Sequence, residues 1–224
     1  MIIKVCGMRE PENIRAVAQL DIDWMGLIFY PKSPRCAIDN SQLTIDNWAS
    51  RSVKNNCQLS IVNCQLKKVG VFVNASPLTI QETALRYRLD YLQLHGGETP
   101  DECYALRKRG YALIKALPVS RAEDLRAAAA YEGVVDYLLF DTRCEGYGGS
   151  GQAFDWSLLE GYQGETPFLL SGGLRPESAE ALLRFHHPRL AGIDLNSGFE
   201  TAPGVKDIAR LKAFIQKIRN KKIG

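Results

Sequence analysis

The sequence predicts an α/β fold, a single barrel of parallel strands, each followed by a helix. Three observations carry this. Eight short apolar runs, mostly β-branched or aromatic, are spread over 224 residues. A helical pattern with an identifiable start lies between most of them. Glycine clusters follow the last three runs, where they would share one mouth of such a barrel. A doubly wound open sheet usually has about five or six strands and would leave some of these runs unused.

The strand runs fall at about 2–6, 24–29, 68–73, 91–95, 112–116, 136–141, 167–171 and 191–195. Pro11 opens a helix over Glu12–Leu20. Ser76-Pro77 opens Leu78–Arg88, with proline at the first helical position, where its missing N–H costs nothing. Thr99-Pro100-Asp101-Glu102 opens the next helix, and Gly110 closes it. Ser120 begins Arg121–Tyr131. Pro176-Glu177 opens Ser178–Phe185, and a last helix covers about 204–219. Eight strands alternating with helices are the pattern of a (β/α)8 TIM barrel, one domain spanning 1–224. One stretch fits poorly. Asn56-Cys57-Gln58-Leu59 recurs as Asn63-Cys64-Gln65-Leu66. This reads as a repeat-derived insertion in an outer loop, after a helix near 41–51.

Composition excludes several classes. The chain is 46% hydrophobic and 24% charged, with a net charge of +3. Its one basic run, Arg219, Lys221 and Lys222, reads as a solvated helix end, too small for a nucleic-acid surface. No apolar run reaches the ~18–20 residues of a membrane helix. No signal-peptide pattern precedes the first strand. The six cysteines form no C-x-x-C pattern, so neither a metal site nor a disulfide framework is expected. The expected setting is the cytoplasm.

Two strand ends carry chemistry. Cys6 ends the first run and Asp141 the sixth. In one parallel barrel both reach the same mouth, and a thiol with a carboxyl there suggests proton transfer on a small molecule. Alternation puts Lys4 on the face of Cys6, one layer down. A buried lysine needs a partner, and Asp194 on the eighth run is a candidate. That pair reads as structural, with Asp194 alternatively facing the ligand. His95 reads as a lining residue, and the other cysteines read as bystanders. Phosphate is expected at the glycine loops: Gly149-Ser150-Gly151, Gly172-Gly173, and Asn196-Ser197. Backbone N–H groups at such loops and at helix starts bind anions.

Lys4-Val5-Cys6-Gly7, Ser33-Pro34-Arg35, Leu92-Gln93-Leu94-His95-Gly96, Phe140-Asp141, Gly148-Gly149-Ser150-Gly151, Ser171-Gly172-Gly173-Leu174 and Gly192-Ile193-Asp194-Leu195-Asn196-Ser197-Gly198 together resemble the phosphoribosylanthranilate isomerases of tryptophan biosynthesis. The match runs in order over nearly the whole chain. It implies an Amadori rearrangement of N-(5′-phosphoribosyl)anthranilate to 1-(2-carboxyphenylamino)-1-deoxyribulose 5-phosphate. Asp141 would be the general acid that opens the furanose ring. Cys6 would be the general base at C2′, Arg35 would hold the anthranilate end, and Asp194 would bind substrate. No cofactor is implied, because hydrogen moves within one molecule. The implied partner is a phosphosugar, with no nucleic acid or membrane, and the chain would be a monomer or a homodimer. Other phosphosugar barrel enzymes, with lysine/glutamate pairs or a metal, and a non-catalytic phosphosugar binder are the alternatives. Cys6 at the first strand end argues against the enzymes among them.

The tandem lies on the helix side, where loop length costs little. Deleting Ser60–Leu66 is expected to leave kcat within a few-fold. A collapse of kcat in a folded deletion would show that the segment reaches the site.

Overall fold

The computed structural model describes residues 1–37, 66–142 and 156–220. The tandem repeat, except Leu66, the helix expected near 41–51 and the Gly149–Gly151 loop lie outside them. Eight strands form a closed barrel in chain order: β1 (Ile2–Val5), β2 (Trp24–Ile28), β3 (Lys67–Phe72), β4 (Tyr91–Leu94), β5 (Ala112–Val119), β6 (Tyr137–Thr142), β7 (Phe168–Ser171) and β8 (Leu190–Leu195). All pairs are parallel. β1 closes on β8 with Ile2 opposite Gly192 and Lys4 opposite Asp194.

Period-two alternation divides each strand between two cores. Trp24, Val69, Ile114, Leu139 and Leu169 fill the barrel interior. Tyr91 and Tyr137 close it below, against the Trp24 ring at 4.6 and 5.1 Å. The larger core lies outside, between the sheet and the helices, and includes Ile3, Val5, Phe72, Leu92, Phe140 and Ile193. The helices start where proline and caps place them. α1 covers Pro11–Val17, and α2 covers Pro77–Tyr87 with Ser76 Oγ accepting the Thr79 N–H. α3 covers Pro100–Arg107. There Thr99 accepts the Glu102 N–H, and the Glu102 carboxylate accepts the Thr99 N–H. α4 covers Ala179–Arg184 and α5 covers Ile208–Arg219.

Four expectations need correction. Ala122–Tyr131 winds as a 3₁₀ helix, and Pro176–Ser178 is a 3₁₀ turn ahead of α4. The final helix does not begin near 204. Residues 200–206 instead form a small antiparallel hairpin, β9 (Glu200–Ala202) and β10 (Val205–Lys206). Pro203-Gly204 supplies its turn, and Asp207 caps α5 by accepting the Arg210 N–H at 3.1 Å. Arg219 is no mere solvated end: it donates to Met1 O at 2.8 Å and to Asp23 at 2.6 Å, tying the last helix to the first strand.

A buried ion pair fixes the loops above β3 and β4. Lys115 faces outward from β5 and meets Glu98 at 3.0 Å, with both side chains buried. Glu98 also accepts the Asn74 and Gly96 N–H groups at 2.7 and 2.8 Å. Lys115 donates further to Gly96 O at 2.7 Å. Burial opposes the charge on Glu98, but the Asn74 N–H and Lys115 outweigh it and hold the carboxyl below its usual range. Its folded pKa is depressed, so its stabilisation is present above the unfolded value of about 4.3 and is lost as acid protonates it below that. Glu98→Gln is expected to cost about 3 kcal/mol, because it strands a buried ammonium. Thermal melts should show a Tm lower by roughly 6–12 °C, with less acid sensitivity below pH ~4.

Candidate active site

Parallel strands aim their carboxyl ends at one mouth. There Cys6, Gln93, His95, Asp141, Asp194 and Asn196 surround a cavity of about 320 Å³, with Gly172, Gly173 and Ser197 on its wall. Cys6 directly follows β1, and its N–H bonds to Leu195 O at 2.8 Å. The inward face predicted for β1 is the observed one. Gly26 opposite leaves room for the thiol, since a Cβ there would lie 2.7 Å from Cys6 Sγ. Asp141 enters from β6, in register with Ser171 of β7.

Lys4 lies one layer below the thiol, with 0% of its side chain exposed. Its Nζ donates to Asp194 Oδ1 at 3.0 Å, and its charge acts on the thiol above. Burial opposes the ammonium, but Asp194 and the thiol outweigh it, so Lys4 stays charged. Cys6 therefore has a positive neighbour, which a thiol needs if it is to work as a thiolate. Burial still dominates and pushes the thiol above its ordinary value. Lys4 is the largest opposing influence, and Lys206 adds to it. Asp194 pairs with Lys4, as the sequence suggested, and also borders the cavity.

His95, read as a lining residue, faces the acid. Its Nε2 lies 3.4 Å from Asp141 Oδ2, and its Nδ1 lies 2.8 Å from the Gln93 amide nitrogen. Gln93 Oε1 is buried without a protein partner. Arg35 stands beside the cavity, bonded through Nε and Nη2 to Glu200. The sequence reading missed Glu200 and Lys206 altogether. The glycine loops after β7 and β8 adjoin a second hollow of about 370 Å³, which shares Gly173 and Ser197 with the first and adds Arg175 and Arg210. Those two arginines were also missed, because nothing in their spacing marks them. Among the described residues no cluster of three metal-ligating side chains occurs, and no helix is long and apolar enough to cross a membrane.

The thiol's ultraviolet thiolate absorbance, taken against Cys6→Ser, should titrate above the range of an ordinary exposed thiol in the free protein. Lys4→Met should move it higher still, because it removes the strongest opposing charge. Crystals soaked in sulfate should hold the anion against Gly173 and Ser197, and Gly173→Val should raise KM by crowding it. An anion at Arg219 with these loops empty would contradict the phosphate assignment.

Residues 3–217 match the family model for N-(5′-phosphoribosyl)anthranilate isomerase. The chain is 61% identical to the N-(5′-phosphoribosyl)anthranilate isomerase of Parabacteroides distasonis, over 97% of this chain and 93% of that one. The phosphoribosylanthranilate isomerase structure from Thermotoga maritima superposes with a TM-score of 0.78 at 33% identity, covering 98% and 99% of the two chains. A phosphoribosylanthranilate isomerase in complex with reduced 1-(o-carboxyphenylamino)-1-deoxyribulose 5-phosphate gives 0.73 at 30% identity, covering 98% and 99%. The closed eight-stranded barrel, with a thiol and a carboxyl at its glycine-bordered mouth, thus belongs to a chain of the N-(5′-phosphoribosyl)anthranilate isomerase family.

Proposed function

We propose that Cys6 is the general base and Asp141 the general acid with which this isomerase of tryptophan biosynthesis converts N-(5′-phosphoribosyl)anthranilate to 1-(2-carboxyphenylamino)-1-deoxyribulose 5-phosphate. One observation carries the assignment: Cys6 and Asp141 border the same 320 Å³ cavity, beside the glycine loops after β7 and β8. Asp141 gives a proton to the furanose ring oxygen. The C1′–O bond breaks, and the anilino nitrogen lone pair forms the C1′=N bond of a Schiff base. The Cys6 thiolate then takes the C2′ proton, and the electron pair moves through C1′ to nitrogen. The resulting enolamine tautomerises to the C2′ ketone, gaining hydrogen at C1′.

The charges suit this order. Asp141 needs a proton at the start, and an arriving phosphate dianion favours one. Cys6 needs to lose one, and Lys4 beneath it, with the cationic Schiff base above, favours that. Gly172, Gly173, Asn196 and Ser197, together with Gly149, Ser150 and Gly151 outside the described residues, hold the phosphate. Arg35 receives the aryl carboxylate, and Asp194 turns a carboxylate oxygen toward the sugar. The protein acts in the cytoplasm as one domain, a monomer or a homodimer.

Positioned acid–base groups contribute about 10²–10⁴-fold. Cys6→Ala is expected to lower kcat by that factor in a fluorescence assay of substrate disappearance, with little change in affinity. Asp141→Asn should lose a similar factor while keeping the cavity's shape. Near wild-type kcat in Cys6→Ala would sink the assignment.

A further inference from the structure

Glu200 sits in the β9–β10 hairpin, in no strand of the barrel, yet only 5% of its side chain is exposed. It gathers two cations. Arg35 donates from Nε at 2.9 Å and from Nη2 at 2.6 Å. Lys206, with 0% of its side chain exposed, donates at 2.6 Å. The Gly204 N–H adds a bond at 3.1 Å. The hairpin is in turn fixed to α1, where the Asn13 side chain bonds both the N–H and the C=O of Lys206 at 2.7 and 2.8 Å. Lys206 also donates to Asn196 Oδ1 at 2.8 Å, which joins the group to the cavity wall.

The guanidinium has two edges that can each hold a carboxylate with paired N–H groups. Glu200 occupies the Nε/Nη2 edge, which leaves Nη1 and the second Nη2 hydrogen facing elsewhere. Gly7, at φ +74°, lets Arg35 lie close over the loop after β1. A Cβ on Gly7 would meet Arg35 Cδ at 2.8 Å and Asn196 Oδ1 at 2.7 Å. Two cations against one carboxylate leave one positive charge to answer one aryl carboxylate.

We infer that Glu200 is the positioning residue that sets Arg35 for recognition of the substrate's aryl carboxylate, with Lys206 balancing its charge. This rests on Arg35 receiving that carboxylate. Glu200 binds one edge of Arg35 so that the other is presented in a fixed direction, and specificity for an ortho-carboxylated aryl group depends on it. A bare competitor for Arg35 would act oppositely, since its removal would free the guanidinium and strengthen carboxylate binding.

The test compares Kd for two reduced product analogues: the reduced carboxyphenylamino-deoxyribulose 5-phosphate and its phenylamino counterpart without the carboxyl group. The Kd ratio between them isolates carboxylate recognition from phosphate binding. Glu200→Gln should shrink that ratio about ten-fold, the scale of one displaced charge-assisted hydrogen bond, and leave Kd for the phenylamino compound nearly unchanged. Glu200→Asp, which keeps the charge, should restore part of the ratio. Should E200Q unfold, E200Q/K206M removes the buried ammonium together with its partner and should shrink the ratio equally. An unchanged or increased ratio in E200Q, with Arg35→Ala abolishing it, would overturn the role of Glu200 and leave that of Arg35. An unchanged ratio in Arg35→Ala would overturn both.

Discussion

The ion pair between Lys4 and Asp194 joins the first strand of the barrel to the last. The two residues are opposite in the β1–β8 register, and their side chains meet at 3.0 Å in the interior. Two desolvated charges are expensive unless each satisfies the other, so the pair is tolerated only where the strands place it well. Breaking it by removing one partner would leave an uncompensated charge inside the barrel. It also lies directly beneath Cys6, so the seam that closes the barrel sets the electrostatics of its mouth. A hydrophobic replacement of both residues could pack as well and would leave the thiol without its positive neighbour.

A second ion pair extends this pattern beyond the barrel wall. Lys206 and Arg35 share Glu200, in a hairpin that follows β8 and packs on α1. Three cations near the thiol, Lys4, Lys206 and Arg35, face two carboxylates, Asp194 and Glu200. These five groups together carry one net positive charge beneath and beside the cavity. Such a field favours a substrate with two anionic groups and a base that works as a thiolate. Burial of Cys6 works in the other direction and keeps the thiol from ionising idly in the free protein.

Much of this was legible in the sequence because it follows from period two and from parallel topology. Cys6 and Lys4 had to share a face, and strand ends one and six had to share a mouth. His95 at the end of its strand was visible as a lining position, but its approach to Asp141 was not, because facing across a barrel depends on closure and strand stagger. Glu200 and Lys206 were not legible at all. Their segment reads as the approach to a helix, and whether a hairpin folds its acid inward depends on contacts with α1 that no local pattern encodes. The Ala122–Tyr131 segment misled for a related reason. Alanine-rich spacing predicts a helix, while its tightening into a 3₁₀ form depends on packing against its neighbours.

Division of labour between Cys6 and Asp141 is the central claim, and a substrate that cannot close its ring separates the two steps. The Schiff base of anthranilate with 4-deoxyribose 5-phosphate lacks the hydroxyl that forms the furanose, so it enters after the step assigned to Asp141. Wild-type protein and Asp141→Asn should release the C2′ hydrogen of this compound at comparable rates, measured as tritium lost to water. Cys6→Ala should release it more slowly by about 10²-fold or more. Equal release by Cys6→Ala and the wild type, or complete failure of a folded Asp141→Asn, would contradict the assignment of base and acid.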